Sequence, residues 1–475
     1  MANVLFLQDL AYEYFGTMHL SAYLKQHGHQ CMVFIDHLEH DVVRKVLDAN
    51  PDLIAFSCLT PTVKWALQAA RRVKSEKNIP IIFGGNHVTL NPEDLFQNDV
   101  ADFVCIGEGE QPLVELCDAL DRGEHPTAIE NLWIKADGKE YRNPLRPLVV
   151  DLDTLPFADR EMYDRYPFFK SRKVKAMLLG RGCPYKCNYC HNHAKMRLFS
   201  GLGKYVRFRS IEHVLAEIDE LIGTYRFEFL HFVDDAFGTN KKWLREFLPQ
   251  LATRGVQYVG SLRANNLDDE MCALMKATGL QSMSFAVETG EERFRTGFLK
   301  KNVTDRHLLR AARMLRMHKI PFLTMNMVGL PTETLEQSLH TLHLNIRLKP
   351  VYACCYLFQP YPNTELYEYL VSHRLFDPAS IKDMGFLSYD LSIVANPAIK
   401  EQRNIQRLFA LTVMFPRLFP LTSRIIKAPP NLLFDGIFYA LYTYYLKRYF
   451  RLTPRIIFYN ILFWIKFNLL KKSST

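Results

Sequence analysis

The sequence predicts an α/β protein in which a doubly wound, open parallel sheet comes first, a partial barrel of six β/α units follows, and a helical region ends the chain. Short apolar runs alternate with amphipathic segments over residues 1–130 and again over 171–390. Proline-rich residues 144–156 separate the two regions. A chain of 475 residues, 48% hydrophobic and 23% charged, is long enough for two or three folded domains.

The first region is predicted to alternate strands and helices. Its short, wholly apolar strands are typical of a sheet covered on both faces. The strands are predicted at residues 4–7, 30–35, 53–56, 80–83 and 103–106, and the helices at 17–27, 41–49, 63–75 and 111–121.

Small and polar residues follow three of these strands, in segments 57–60, 84–87 and 107–110. Ligands of open α/β sheets bind outside the carboxyl ends of the strands, and glycine lets the backbone approach a ligand closely. We expect a ligand site there; for each single segment the alternative is an ordinary turn.

Three cysteines in the second region have metal-ligand spacing. Cys183, Cys187 and Cys190 form a C-x3-C-x2-C pattern, and three thiolates can hold three corners of a [4Fe–4S] cluster while the fourth iron stays open. A zinc site completed by His191 or His193 and C-x-x-C redox chemistry are the alternatives. The ten cysteines, with no signal peptide at Met1, predict a reducing, cytoplasmic setting.

An apolar strand at residues 174–179 leads into this cysteine loop, and the whole stretch resembles the signature of the radical S-adenosylmethionine (radical SAM) superfamily. In that family the open iron binds the amino and carboxylate groups of S-adenosylmethionine, which one electron from the cluster cleaves to a 5′-deoxyadenosyl radical. The resemblance implies that the three cysteines are the cluster ligands and that Tyr189 lies beside S-adenosylmethionine.

Later strings match further motifs of the family and imply more S-adenosylmethionine contacts. His231-Phe-Val-Asp-Asp-Ala-Phe237 has two carboxylates at a strand end, and we expect one of them to cap the next helix. Arg263 suits a carboxylate and Glu288 suits a ribose hydroxyl or an ammonium, with salt bridges as the alternative for both. The implied residues are Asp234, Asp235, Arg263, Glu288, Gly329 and Pro331.

The first region resembles the cobalamin-binding domain, which has a Rossmann-like fold. The resemblance implies cobalamin contacts at Ser57, Leu59, Thr60, Gly84, Gly85, Glu108, Gly109 and Glu110. The family's Asp-x-His-x-x-Gly motif is absent, because no histidine occurs between Val4 and Gly16. We therefore expect no motif histidine as the lower cobalt ligand; a domain that has lost cobalamin is the alternative.

Four segments follow from these resemblances. They are a cobalamin-binding domain at 1–143, a linker at 144–170, a TIM-like radical SAM partial barrel at 171–395, and a basic, aromatic-rich helical region at 396–475.

The C-terminal region carries the positive charge of the chain. Residues 401–475 contain 12 Lys and Arg against Glu401 and Asp435, while the whole chain has a net charge of +9. Its apolar runs, 432–446 and 456–470, are too short to span a bilayer. They fit peripheral contact with anionic lipid on the inner face of the membrane, or a helical cap on the barrel. Nucleic acid is not expected, because the basic residues are embedded in aliphatic runs.

The sequence thus predicts a cobalamin-dependent radical SAM enzyme that abstracts hydrogen from an unactivated carbon and methylates it from methylcobalamin. We expect a small-molecule substrate, with a lipid or isoprenoid as the leading hypothesis, and flavodoxin or ferredoxin as the electron donor. The alternatives are a non-methylating cyclase or carbon–carbon coupling enzyme, and a cobalamin or redox sensor without turnover. Cys354 and Cys355 are expected to be buried hydrophobes, unless one faces the active site.

Overall fold

The computed structural model describes residues 1–235, 237–384, 392–449 and 451. They divide into two compact units. The first unit contains Met1–Lys170 and Ala194–Arg207, and the second contains Ser171–His193 and the described residues from Phe208 onward. The chain therefore returns to the first unit directly after the cysteine loop.

The first unit is a sheet between helices. Its strands are β1 (Asn3–Gln8), β2 (Gln30–Ile35), β3 (Leu53–Ser57), β4 (Ile81–Gly84), β5 (Phe103–Cys105), β6 (Leu132–Ala136) and β7 (Lys139–Arg142). Its helices are α1 (Phe15–Gln26), α2 (Val42–Ala49), α3 (Val63–Glu76), α4 (Asn86–Leu90), α5 (Pro92–Phe96), α6 (Glu110–Asp121) and α7 (Pro167–Lys170).

The strand order is β2-β1-β3-β4-β5-β6-β7, with β1 to β5 parallel. Val4 and Phe6 of β1 belong to the core on one face, and Leu5 and Leu7 to the core on the other. This alternation buries both faces, which confirms the predicted doubly wound sheet. Because the order reverses beside β1, the carboxyl ends of β1 and β3 form the switch point where such sheets bind ligands.

The antiparallel hairpin β6–β7 was not predicted. Its turn, Asp137-Gly138, has φ of 51° and 71°, the left-handed pair of a type I′ turn. An Asp-Gly pair between two short strands is a recognised hairpin pattern.

The second unit contains a six-stranded parallel sheet in the order β15-β14-β13-β12-β11-β8. Its strands are β8 (Val174–Met177), β11 (Phe229–Phe232), β12 (Gln257–Ser261), β13 (Leu280–Glu288), β14 (Phe322–Val328) and β15 (Tyr352–Leu357), and the chain also has the two-residue strands β9 (Gly180–Arg181) and β10 (Arg207–Phe208). The first helices after β8 are α8 (His191–Leu198), α9 (Ile211–Thr224), α10 (Lys241–Ala252), α11 (Asp269–Ala277), α12 (Asp305–Met317), α13 (Leu335–Leu348) and α14 (Glu365–Ser372).

One face of this sheet packs against helices, and the other is concave and partly open. On β13, Met283 and Phe285 are fully buried in the helix-covered core, while Ser284 and Ala286 between them are half-buried. The six parallel strands with outer helices confirm the predicted partial barrel.

The C-terminal region is helical where the structure describes it. It contains α15 (Ile399–Met414), α16 (Phe419–Ile425) and α17 (Leu432–Tyr449). Phe434 and Phe438 of α17 are buried, and Asp435 pairs with Arg407 of α15 at 2.6 Å (Oδ1 to Nε). The apolar run 456–470 lies outside the described residues. Within the described part of the chain, no helix combines the length and the apolarity needed to cross a bilayer.

Candidate active site

The cysteine loop begins where β8 ends. Asp234, which follows β11, accepts hydrogen bonds through Oδ1 from the backbone N–H groups of Leu179 (2.8 Å) and Gly180 (2.9 Å). Gly182 has a φ of 88°, a conformation that glycine adopts without strain. A carboxylate and a glycine thus set the path of the chain into the first cysteine.

The three loop cysteines have free thiols. Cys183 and Cys187 are 8% and 7% exposed, and Cys190 is half-buried. Burial raises the pKa of Cys190 to about 11, so a bound cation is needed to stabilise its thiolate. Thiolates are the donors that iron–sulfur clusters take, and three of them leave one iron open. The donor set fits the cluster.

Among the described residues, no three His, Cys, Asp or Glu side chains converge on one metal position. A zinc ion takes all of its ligands at one point, whereas a cubane takes each thiolate on a different iron.

Arg263, after β12, reaches the cysteine loop. Its Nη1 donates to Cys187 Sγ at 3.4 Å, and its guanidinium lies 3.9 Å from the centroid of the Tyr185 ring. Its Nε is buried and has no hydrogen-bond partner. No ion pair of Arg263 is found in the described part of the chain, so this planar donor has capacity for a ligand carboxylate.

Glu288 ends β13 with a φ of 67°, unusual for a residue with a side chain. Its Oε1 accepts from the Tyr189 hydroxyl at 2.8 Å and from Lys301 Nζ at 2.7 Å. Burial and the Glu288 charge raise the pKa of Tyr189. Glu288 is therefore fixed beside the cysteine loop, and the salt bridge expected as its alternative role is formed, with Lys301.

Asp234 and Asp235 differ in their surroundings. Asp234 Oδ2 is buried without a hydrogen-bond partner, and burial raises the pKa of this carboxyl to about 7 despite the two backbone donors. Asp235 is exposed. The expectation that one of them caps the next helix is wrong, because Asn240 caps α10 through the Trp243 N–H at 3.1 Å. Ala236 of this motif lies outside the described residues.

Gly329 and Pro331 form a closed turn after β14. Gly329 has a φ of 76°, and Glu333 Oε2 accepts from the Leu330 N–H at 3.1 Å. Asn396 Nδ2 donates to Leu330 O at 3.1 Å. The turn is thus rigid before any ligand arrives.

In the first unit, the predicted residues line the carboxyl edge of the sheet. Gly85 has a φ of 98°, and a Cβ there would lie 2.8 Å from Cys58 N and O. Thr60 Oγ1 lies 3.2 Å from His87 Nδ1, and His87 Nε2 lies 3.0 Å from Asp94 Oδ2. Ser57, Leu59, Thr60, Gly84 and Gly85 belong to these adjoining strand ends.

The segment after β5 is held from within the unit. Glu108 accepts two hydrogen bonds from Arg207 at 2.9 and 3.0 Å and one from Val149 N–H at 2.8 Å. Glu110 is buried as the first residue of α6, and Gly109 precedes it. The Glu108 carboxylate therefore orders this turn.

The switch point also holds a polar group without a partner. The Tyr14 hydroxyl is buried and makes no hydrogen bond in the described structure, and the Asp9 carboxyl, at the end of β1, has a pKa raised to about 7 by burial. The small residues leave room for a ligand, and a buried hydroxyl without a partner can bond to a polar atom of that ligand. The carboxyl edge therefore fits cobalamin, which has polar groups on its nucleotide tail.

Sequence reasoning assigned no role to Lys301, Arg207, His87 or Asp94. Each acts by pairing with a residue distant in sequence or in a neighbouring turn, and residue spacing carries no information about such pairs. Of the adjacent cysteines, Cys355 packs in the outer core and Cys354 lies on the opposite face of β15.

Two family profiles match the chain. The B12 binding domain matches residues 11–117, and the radical SAM superfamily matches residues 177–344. These matches confirm the predicted resemblance: a B12-binding domain precedes a radical SAM domain.

Two curated relatives are similar over most of the chain. An uncharacterized methyltransferase of Pyrococcus horikoshii is 28% identical over 343 residues, covering 70% of this chain and 72% of the relative. The anaerobic magnesium-protoporphyrin IX monomethyl ester cyclase of Rubrivivax gelatinosus is 26% identical, covering 74% of this chain and 65% of the relative.

Solved structures share the fold. The methyltransferase TsrM from Kitasatospora setae, with cobalamin and a [4Fe–4S] cluster bound, has a TM-score of 0.64 at 16% identity and covers 78% of this chain and 75% of its own. OxsB, with aqua-cobalamin and S-adenosylmethionine bound, has a TM-score of 0.61 at 16% identity and covers 82% of this chain and 58% of its own.

Proposed function

We propose that this chain, a B12-binding domain joined to a radical SAM domain, is a cobalamin-dependent radical SAM enzyme that methylates an unactivated carbon. Cys183, Cys187 and Cys190 hold the [4Fe–4S] cluster. When bound, the cluster supplies the electron that cleaves S-adenosylmethionine to a 5′-deoxyadenosyl radical, which abstracts hydrogen, and methylcobalamin supplies the methyl group.

The observation that carries this proposal is the rim of the second unit, where the cysteine loop meets Arg263 and Glu288. Arg263 has an unused buried donor for the carboxylate of S-adenosylmethionine, and Asp234 has an unused acceptor for its ammonium. Glu288, held by Lys301, accepts from the ribose, and Gly329 and Pro331 shape the turn beside the adenine. Tyr189 orients Glu288 from within the cysteine loop.

The first unit would hold cobalamin at the carboxyl edge of its sheet. Thr60, backed by His87, presents a hydroxyl to the cofactor, and Ser57, Gly84 and Gly85 leave room for its nucleotide tail. No motif histidine serves as a lower ligand.

We further propose a lipid-like or isoprenoid substrate, a flavodoxin or ferredoxin as electron donor, and peripheral contact of the basic C-terminal region with the inner face of the membrane. The support is the charge of residues 401–475, 12 basic against two acidic. Sedimentation with anionic vesicles tests the contact, and it should be lost when residues 452–475 are removed. Indifference of the intact chain to these vesicles contradicts it.

The test of function is anaerobic product analysis with reconstituted protein, S-adenosylmethionine, cobalamin and a reductant. A methylase forms both 5′-deoxyadenosine and S-adenosylhomocysteine. A cyclase or coupling enzyme, which the cyclase relative keeps as a second candidate, forms only the first. If neither product forms, a cobalamin or redox sensor without turnover is favoured. Substitution of Cys187 by Ala should abolish both products and the visible absorption of the cluster, while cobalamin binding persists.

A further inference from the structure

Helix α17 lies on the concave side of the six-stranded sheet. Residues of β15 alternate between its two faces, and Cys355 packs with α13 and α15 on the outer face. On the opposite face, one cluster joins strand residues to α17; its members are Leu323, Met325, Tyr352, Cys354, Tyr356, Leu441, Tyr445 and Tyr449, with Ala410. The helix therefore wraps around the edge strand and enters the concavity.

The helix covers only the half of this face that lies at the amino ends of the strands. Leu323, Tyr352 and Cys354 are 6%, 2% and 5% exposed. Two positions after Leu323 and Cys354 on the same strands, Met325 and Tyr356 are half-buried. Since the strands are parallel and run toward the rim that carries Glu288, α17 closes the end of the concavity away from the rim.

Ion pairs are formed near both ends of the helix. At its start Asp435 pairs with Arg407. Beyond its end Arg451 Nε lies 3.3 Å from Glu228 Oε2, directly before β11. Because β11 and β15 are separated by three strands in the sheet order, the helix crosses beneath the concave face.

Tyr445 is the central contact. Its ring stacks on Tyr352, with centroids 4.4 Å apart and planes at 9°. Burial raises the pKa of the Cys354 thiol to about 11, while the neighbouring hydroxyls of Tyr445 and Tyr356 lower it. The thiol is therefore neutral and packed beside two tyrosine side chains.

The half-buried strand residues that face the open half of the concavity are uncharged. Ser261 Oγ and Ser284 Oγ bond each other at 2.6 Å, and burial, together with the charge of Arg172, lowers the pKa of His231 to about 4, so its imidazole is neutral. Val259, Ala286, Met325, Met327 and Tyr356 complete the half-buried lining. Placing an ionised group against such a wall is unfavourable, whereas a hydrocarbon is favoured there.

We propose that α17 is the floor of the substrate site, and that Tyr445 sets its depth for a substrate that inserts a hydrocarbon chain or ring while its polar end stays at the rim. The inference rests on the proposed function, since it assigns the concavity to the substrate of that reaction. It makes Tyr445 a specificity-determining residue.

The first experiment measures alkylation of each cysteine by N-ethylmaleimide in the full-length holoprotein, resolved by mass spectrometry. Tyr445→Ala should speed alkylation of Cys354 by about tenfold, since it removes the covering ring. Tyr444→Ala, a change at an exposed neighbour on the same helix, should leave it unchanged. Cys272, fully buried in the outer core, is the internal reference. Equal rates of Cys354 alkylation in the wild type, Tyr445→Ala and Tyr444→Ala would contradict the proposal that α17 is the floor of the site.

The second experiment uses the wild-type holoprotein and a photoactivatable farnesol as the probe. We expect cross-links to peptides that contain Met325, Tyr356 or Tyr445, and competition by unlabelled farnesol. Cross-links confined to other surfaces, or none, overturn the hydrocarbon specificity. Neither readout depends on methyl transfer, so the two proposals fail separately.

Discussion

The carboxyl edges of the parallel strands in the two sheets present different chemical groups to a ligand. The edge in the first unit is made mainly of backbone and small side chains; Glu108 is already bound by Arg207, and the polar group left without a partner there is a neutral hydroxyl, that of Tyr14. The rim in the second unit carries charged groups with unused capacity, Asp234 Oδ2 and Arg263 Nε. One fold principle therefore yields a site defined by shape in one unit and by charge in the other. Substitutions should damage the two sites by different routes.

The sharpest test of the charge-defined rim is Lys301→Met. The change leaves Glu288 buried without its cation, which should lower the free energy of unfolding by about 3–5 kcal/mol and weaken S-adenosylmethionine binding. Chemical denaturation and equilibrium dialysis measure the two effects.

The matched control is Lys300→Met. Lys300 pairs with Glu365, but its side chain is 54% exposed, so its loss should cost less than about 1 kcal/mol. Equal effects of the two substitutions would contradict the importance of the buried pair.

The shape-defined edge is tested by Gly85→Ala. The new Cβ meets Cys58 backbone atoms at 2.8 Å with φ at 98°, so we expect a loss of about 2–4 kcal/mol and of cobalamin binding, measured by denaturation and by spectrophotometric titration. Cleavage of S-adenosylmethionine by the second unit should persist.

Gly28→Ala separates strain from contact, because Gly28 has a φ of 84° but no atom within 4 Å of the new Cβ. It should cost about 1 kcal/mol and leave cobalamin binding intact. If Gly28→Ala lowers the free energy of unfolding as much as Gly85→Ala does, backbone strain alone explains both losses of stability.

Of the three principal tests, the smallest effect is expected at Glu333, a buried carboxyl whose pKa burial raises to about 7 from 4.5. Its folded-state pKa exceeds its unfolded value, so its contribution to stability is complete below about pH 4.5 and is lost as the pH rises through 7. Glu333→Gln should abolish this loss and make the variant more stable by about 1–3 kcal/mol at pH 8. Thermal unfolding of the wild type and the variant from pH 5 to 8.5 measures this difference. If the stabilities of the two proteins change with pH in parallel, the role of Glu333 is refuted.

The sequence predicted the sheets well because their pattern is local. Apolar runs such as residues 53–56 and 80–83 can be read without tertiary information. The family motifs named residues at the correct strand ends, yet their partners were not predictable: Lys301 is 13 positions from Glu288, and Arg207 is 99 positions from Glu108. Asp234 shows the same limit, since its bonds go back 54 and 55 positions to Gly180 and Leu179, just after the first strand of the barrel. Helix α17 was predicted as a helix, but its position beneath the sheet depends on contacts that no periodicity encodes.

The return of residues 194–207 to the first unit has an evolutionary consequence. A recombination event with a single breakpoint near residue 170 would transfer seven strands and leave behind Arg207, and with it the two bonds that order Glu108. In a donor domain acquired in this way, the Glu108 carboxylate would keep its bond from the Val149 N–H but lose its cationic partner. A transferred first unit therefore keeps the Arg207–Glu108 ion pair only if the segment extends through residue 207.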